Sequence, residues 1–115
     1  MPGAYAHLTL VNLIREPAKL ESHGFTSEAI VSVLDYFRFC ELGAVSPDYP
    51  YLDIVHPDAC HWADRMHYQK TGDMVKTGID LIRKLNGASG QKAFSCLLGY
   101  TSHVVTDVTI HPVVE

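Results

Sequence analysis

A long segment near the end of the chain, residues 93–114, contains no Lys, Arg or Glu. A segment of this kind is typical of a helix that is buried on nearly all sides. It nevertheless places His103, Asp107 and His111 four residues apart, so that all three share one face of a helix. Because a buried carboxylate without a partner lowers stability by several kcal/mol, Asp107 needs a partner.

Two interpretations of this trio remain open on spacing alone. In the first, the three residues are metal ligands, because imidazole nitrogen and carboxylate oxygen suit zinc and other borderline divalent ions. Asp107 would then be shared between an ion on His103 and a second ion on His111. In the second, both histidines are core residues that hydrogen-bond to Asp107 and to nearby hydroxyl groups. Pro112 disfavours helical geometry at His111 and suggests a frayed end there.

The composition of the chain narrows the class of protein. With 115 residues, of which 47% are hydrophobic, we expect one globular domain with a core. A net charge of -4 without a Lys/Arg cluster argues against duplex nucleic acid and anionic membranes as partners. Three cysteines without a C-x-x-C pair indicate reduced thiols. Since we find no signal peptide and no apolar run of about 20 residues, we expect a soluble, cytoplasmic protein.

Apolar periodicity predicts five helices and no strand, and therefore an all-α fold. The helices are expected over residues 6–16, 27–42, 59–70, 71 or 73 to 86, and 90–114. Thr26 or Ser27 should cap the second helix, and Gly43 should close it in a left-handed conformation. The intervening residues 43–58, which include three prolines, predict a loop of a kind that is often functional.

Further candidate residues lie outside the last helix. Asp48 belongs to the proline-stiffened loop, which can direct its carboxylate toward a site where it also accepts a proton; the alternative is a turn aspartate bonded to its own backbone. His61 and His67 point in different directions on a helix, so at most one of them is a ligand. His7 lies in the first turn of the first helix, where a lone histidine is more often a core residue than a ligand.

Four short stretches, taken in order, resemble the zinc-dependent phospholipase C family, which includes the catalytic domain of glycosylphosphatidylinositol-specific phospholipase D. They are residues 2–7 (PGAYAH), residues 43–48 (GAVSPD), His61-Trp62 and residues 99–111 (GYTSHVVTDVTIH). The resemblance implies a compact all-α domain that holds a cluster of three zinc ions. Bacterial secreted phospholipases and single-strand nucleases of the family share this ligand set.

The resemblance also implies a role for each matching residue. One zinc ion would be held by Asp48, His61, His103 and Asp107. Asp107 would bridge to a second ion on His7, and this ion would also be bound by the amine and carbonyl of Pro2 once Met1 is removed. His111 would contribute to a third ion, for which the family draws its other ligands from later helices. We therefore expect residues 1–115 to be the N-terminal part of a longer domain, with the C-terminal helices missing and the third site incomplete. The alternative is a shortened member of the family, whose third ion is missing or is completed by water, Glu115 or another chain.

The function expected from these features is hydrolysis of a phosphate ester, preferably a phospholipid, by metal-activated water. Asp48 is the candidate general base, and no residue is assigned as the general acid. One alternative is a single-strand nuclease on the same scaffold, which the absence of a basic groove disfavours. Another is a non-catalytic helical domain in which zinc supports folding. The apolar end, residues 111–114, also predicts a surface for self-association.

Overall fold

The structure, a computed structural model, describes residues 3–52, 55–56, 58–68 and 70–114. Within these residues there are seven α-helices and no strand, which confirms the all-α class. The helices are α1 (Ala4–Ile14), α2 (Pro17–Ser22), α3 (Ser27–Asp35), α4 (Phe37–Val45), α5 (Asp58–Tyr68), α6 (Thr71–Ile82) and α7 (Gly87–Val114). A 3₁₀-helix, Ser46–Leu52, replaces the loop expected between α4 and α5. No described helix combines the length and the hydropathy that a membrane span requires.

The second predicted helix is two helices in the structure, α3 and α4. The predicted cap at its start is confirmed, because the Thr26 side chain accepts a hydrogen bond from the Ala29 N–H at 3.2 Å. The break falls at Tyr36, whose φ of -121° and ψ of 38° lie outside the helical region. The carbonyl of Tyr36 accepts a hydrogen bond from Ser95 Oγ of α7 at 2.9 Å. A contact with a distant helix therefore stabilises this break, which local periodicity cannot reveal.

Helices α4 and α7 are in contact through their main chains. A methyl group on Gly43 would overlap the carbonyl of Cys96, and a methyl group on Gly99 would overlap the carbonyl of Cys40. The prediction that Gly43 closes a helix is wrong, because α4 continues to Val45 and positive φ among the described glycines occurs at Gly24 and Gly87. Gly43 is required for close helix packing rather than for a turn.

The hydrophobic core is formed by residues of the first four helices and of α7. Its buried members are Val11, Leu20, Val33, Phe37, Cys40 and Ala44, and Phe94 and Leu98 of α7 pack against them. The helix α7 also contacts α6 and the 3₁₀-helix. Because α7 passes beside both halves of the described chain, side chains on its inner face can meet residues from α1 and from the 3₁₀-helix.

In the later part of α7, two polar residues face the interior beside the buried Val104, while two other valines face solvent. Val105 and Val108 are 57% and 70% exposed, whereas His103 and Asp107 are buried. The expectation that this helix is buried on nearly all sides is therefore wrong for its described later turns. Histidine and aspartate turned toward the interior, with valines toward solvent, indicate that the inward polar groups have a role other than packing.

Candidate metal centre

Helices α1 and α7 bring together three buried side chains, His7, His103 and Asp107. Their exposed fractions are 1%, 0% and 7%. One nitrogen or oxygen atom from each residue lies within 4.8 Å of the corresponding atoms of the other two. His7 reaches this position because it shares the buried face of α1 with Val11, one turn later.

The carboxylate of Asp107 directs one oxygen toward each histidine. Its Oδ1 lies 3.2 Å from Nε2 of His7, and its Oδ2 lies 3.1 Å from Nε2 of His103. The two imidazole rings stack, with centroids 3.7 Å apart and planes inclined by 12°. One carboxylate therefore spans two nearly parallel imidazoles.

A hydrogen bond to the main chain determines which nitrogen of His103 faces the carboxylate. Nδ1 of His103 lies 2.5 Å from the carbonyl oxygen of Ala44. Because a carbonyl oxygen can only accept a hydrogen bond, Nδ1 carries the proton. In the neutral ring Nε2 then carries the lone pair and faces Asp107. A divalent metal ion placed between this lone pair and the carboxylate oxygen would bind both.

His7 is the second histidine of the site. Neither of its ring nitrogens makes a hydrogen bond to a described protein atom, although Nε2 is at ion-pair distance from Asp107. Burial and the neighbouring His103 lower the pKa of His7 below 6.5, against the opposing effect of the two carboxylates, Asp107 and Asp48. The neutral ring is the form that binds metal. The donor set and the buried nitrogens of His7 thus fit a zinc site.

Asp48 approaches the same site from the 3₁₀-helix. Its Oδ1 lies 3.8 Å from Nε2 of His103. The preceding residue, Pro47, is fully buried, and Ser46 Oγ donates a hydrogen bond to the Gly43 carbonyl at 3.0 Å. The side chain of Asp48 is 23% exposed, compared with 10% for Asp107. Asp48 therefore forms the more open edge of the site.

Of the remaining predicted ligands, the structure describes the side chain of His61, which is not part of this group. His61 is exposed on α5, next but one to the buried Ala63, and its assignment as a ligand stays a prediction. Pro2 lies outside the described residues, and so does the side chain of His111. Their roles at the second and third ions also stay predictions.

Sequence reasoning missed the residues that support His103. Along α7, a stripe of small and polar residues recurs every fourth position: Ser95, Gly99, His103 and Asp107. Gly99, one turn before His103, is the sequence feature that could have indicated this support, because a glycine on a helix face allows another main chain to approach closely. The carbonyl of Ala44 has no signature in the sequence, because every residue carries one.

Comparison with known proteins agrees with this donor set. The family described as zinc dependent phospholipase C matches residues 6–115. No curated protein and no solved structure matches the chain. The matched range includes His7, Asp48, His103 and Asp107, and the relationship expected from the short sequence motifs is thereby confirmed. The chain belongs to the zinc-dependent phospholipase C family.

Proposed function

We propose that this chain is a zinc-dependent phosphoric-ester hydrolase that cleaves a phospholipid in the manner of a phospholipase C. The observation that carries the proposal is the buried Asp107 carboxylate, with His7 Nε2 at 3.2 Å from one oxygen and His103 Nε2 at 3.1 Å from the other. Family membership supports both the metal and the reaction class. The net charge of -4 favours a lipid over single-stranded nucleic acid.

In this proposal Asp107 would be a ligand shared by two zinc ions. His103 and Asp107 would hold one ion together with Asp48, and His7 and Asp107 would hold a second. The further ligands carried over from the family are His61 for the first ion, Pro2 for the second and His111 for a third. Two imidazoles and a shared carboxylate are ligands that zinc accepts readily.

Zinc bound here supplies Lewis-acid chemistry, since it neutralises phosphate oxygens and lowers the pKa of water toward about 7. Asp48 is the general base, because it is the more exposed of the two carboxylates and can reach a water molecule on the substrate side. It accepts the proton of that water as the oxygen attacks phosphorus and the bond from phosphorus to the glycerol oxygen breaks, and the departing glycerol oxygen takes a proton from solvent water. The stacked rings of His7 and His103, both fully buried, keep solvent from the inner side of the site.

Parallel assays on the purified, zinc-loaded chain test the substrate class. We expect release of phosphocholine and diacylglycerol from phosphatidylcholine, and no cleavage of single-stranded DNA. Cleavage of DNA alone would establish the nuclease alternative. Inactivity on both substrates, together with loss of helicity on chelation, would support a metal-stabilised domain without catalytic activity.

The role of Asp48 is tested by Asp48→Asn, which keeps the shape of the side chain and removes its basicity. We expect a loss of hydrolysis of about 100-fold or more with zinc still bound, within the usual contribution of a general base. Asp80→Asn is the matched control, because Asp80 is an exposed carboxylate of α6 outside the site. An unchanged rate in Asp48→Asn would remove Asp48 from the mechanism.

A further inference from the structure

Residues on the inner face of α7 contact successive main-chain carbonyls of α4 and of its N-cap residue, Tyr36. Ser95 donates to the carbonyl of Tyr36 at 2.9 Å, and one turn later Gly99 lies against the carbonyl of Cys40. A further turn on, His103 donates to the carbonyl of Ala44. The carbonyls lie four residues apart, as do the three groups that meet them, so the two helices run parallel in one register. Four residues after His103 and four residues after Ala44 come Asp107 and Asp48, which both lie at the metal site.

The carbonyl of Ala44 is available because α4 ends beside it. The last carbonyls of a helix have no intrahelical donor, and the residue three positions after Ala44 is Pro47, which has no N–H to offer in the following 3₁₀-helix. The preceding carbonyl, of Gly43, is satisfied by Ser46 Oγ. The partial negative charge at the end of α4 further favours an N–H donor from α7.

The ring of His103 is held on three sides. Ala44 accepts the proton of Nδ1, His7 stacks on the ring face at 3.7 Å between centroids, and Asp107 lies 3.1 Å from Nε2. The main-chain contact at Gly99 fixes the distance between α4 and α7. The hydrogen bond from His103 to the Ala44 carbonyl depends on that distance. A methyl group at Gly99 would overlap the Cys40 carbonyl and press on the Ala44 nitrogen at 2.8 Å, so that α4 and α7 would have to move apart.

We propose that the carbonyl of Ala44, held in place by the Gly99 contact, is a positioning group that selects the Nδ1–H tautomer of His103 and thereby presents Nε2 as a metal ligand. This inference rests on the proposed zinc site. With the other tautomer, Nε2–H would donate to Asp107, and the pair would be a satisfied core hydrogen bond. For a neutral His103 ring, the Ala44 carbonyl therefore favours the metal-ligand interpretation over the core hydrogen bond.

Nuclear magnetic resonance of protein labelled with ¹⁵N at histidine reads the tautomer directly. In zinc-loaded protein we expect a slowly exchanging proton on Nδ1 of His103 and none on Nε2, with the resonance assigned by a His103→Gln variant. A proton on Nε2, with Nδ1 bare, would overturn the inference. The same spectrum in metal-free protein, at a pH that leaves every histidine neutral, tests the tautomer even if the chain binds no zinc or hydrolyses nothing.

A pair of glycine variants tests the positioning role. Gly99→Ala should weaken zinc binding about 10–100-fold, the usual effect of losing an outer partner of a ligand histidine, and should remove the His103 Nδ1–H signal while helicity is retained. Gly72→Ala is the matched control, since a methyl group there has nothing within 4 Å, and it should leave both readouts unchanged. A folded Gly99→Ala protein with wild-type affinity and tautomer would contradict the proposal. Should Gly99→Ala not fold, the wild-type spectrum remains decisive.

Discussion

His7 in α1 and Asp107 in α7 meet at 3.2 Å, and both side chains are buried. This contact joins the first helix of the chain to the last described one through two ionisable groups. A hydrogen-bonded core would give each nitrogen of His7 a hydrogen bond, whereas among the described protein atoms Nδ1 has none and Nε2 has only the ion-pair contact with Asp107. The contact is therefore understood best as two ligands of a common metal centre.

The variants His7→Ala and His103→Ala should lower the zinc content separately. If the two oxygens of Asp107 serve different ions, each variant loses about one ion per chain and retains at least one other. Elemental analysis of protein purified without chelator measures this, and His23→Ala, an exposed histidine after α2, is the control. Complete loss of zinc in both variants would indicate a single ion shared by both rings.

Chelation should lower the stability of the chain. A ligand that binds the native state alone contributes about 2.7 kcal/mol when its free concentration is 100 times the dissociation constant. We expect EDTA to lower the Tm, zinc to restore it, and magnesium to have no effect, since magnesium prefers oxygen ligands. A Tm that does not respond to EDTA in zinc-loaded protein would show that no metal supports the fold.

Gly43→Ala should destabilise the protein by about 1–3 kcal/mol or more, as overpacking of a close contact does. The added methyl group would overlap the Cys96 carbonyl and lie 3.0 Å from the Tyr100 nitrogen. Urea denaturation compares it with Gly72→Ala, which should be neutral or stabilising by up to about 1 kcal/mol because alanine is the better helix former. Equal stability of the two variants would contradict main-chain contact between α4 and α7.

The thiol of Cys40 should make the protein sensitive to alkali. Burial raises its pKa from 9.0 to about 12, with Glu41 and Cys96 adding to the effect. The native state therefore keeps the proton that the unfolded chain releases, and the stabilisation that is complete below pH 9.0 is lost as the pH rises toward about 12.

The variant Cys40→Ala isolates this contribution. Between pH 8 and about 10.5 the wild type should lose about 2 kcal/mol more of its free energy of unfolding than the variant does. Urea denaturation at the two pH values measures both losses. Parallel losses in the two proteins would show that the Cys40 thiolate is not excluded from the native state.

Apolar periodicity is sufficient to predict the all-α class. It fails where contacts with a distant part of the chain determine the backbone conformation. The break at Tyr36 depends on a hydrogen bond from Ser95, far along the chain. The conformational freedom of glycine predicts a helix end at Gly43. In the structure, a glycine is needed at this position because the Cys96 carbonyl of α7 leaves no room for a side chain. Neither effect leaves a trace within the few residues that a periodic pattern compares.

The candidate site was predictable to a different degree for each residue. Spacing of four on a helix suggested His103 and Asp107, but it left a hydrogen-bonded pair as open as a metal site. His7 and Asp48 are far from them in sequence and were assigned through the family resemblance. The Ala44 carbonyl was beyond prediction, because a main-chain acceptor becomes specific only when the packing of two helices places it.

The zinc content of wild type and Asp107→Asn, measured side by side after dialysis against metal-free buffer, tests the central claim most directly. The variant keeps the shape of the side chain and loses the charge that both histidines face. We expect two or more zinc ions per chain in the wild type, and loss of the ions on His7 and His103 in the variant, with Asp80→Asn as the control. Less than one zinc ion per wild-type chain, or equal zinc in both proteins, would contradict the account.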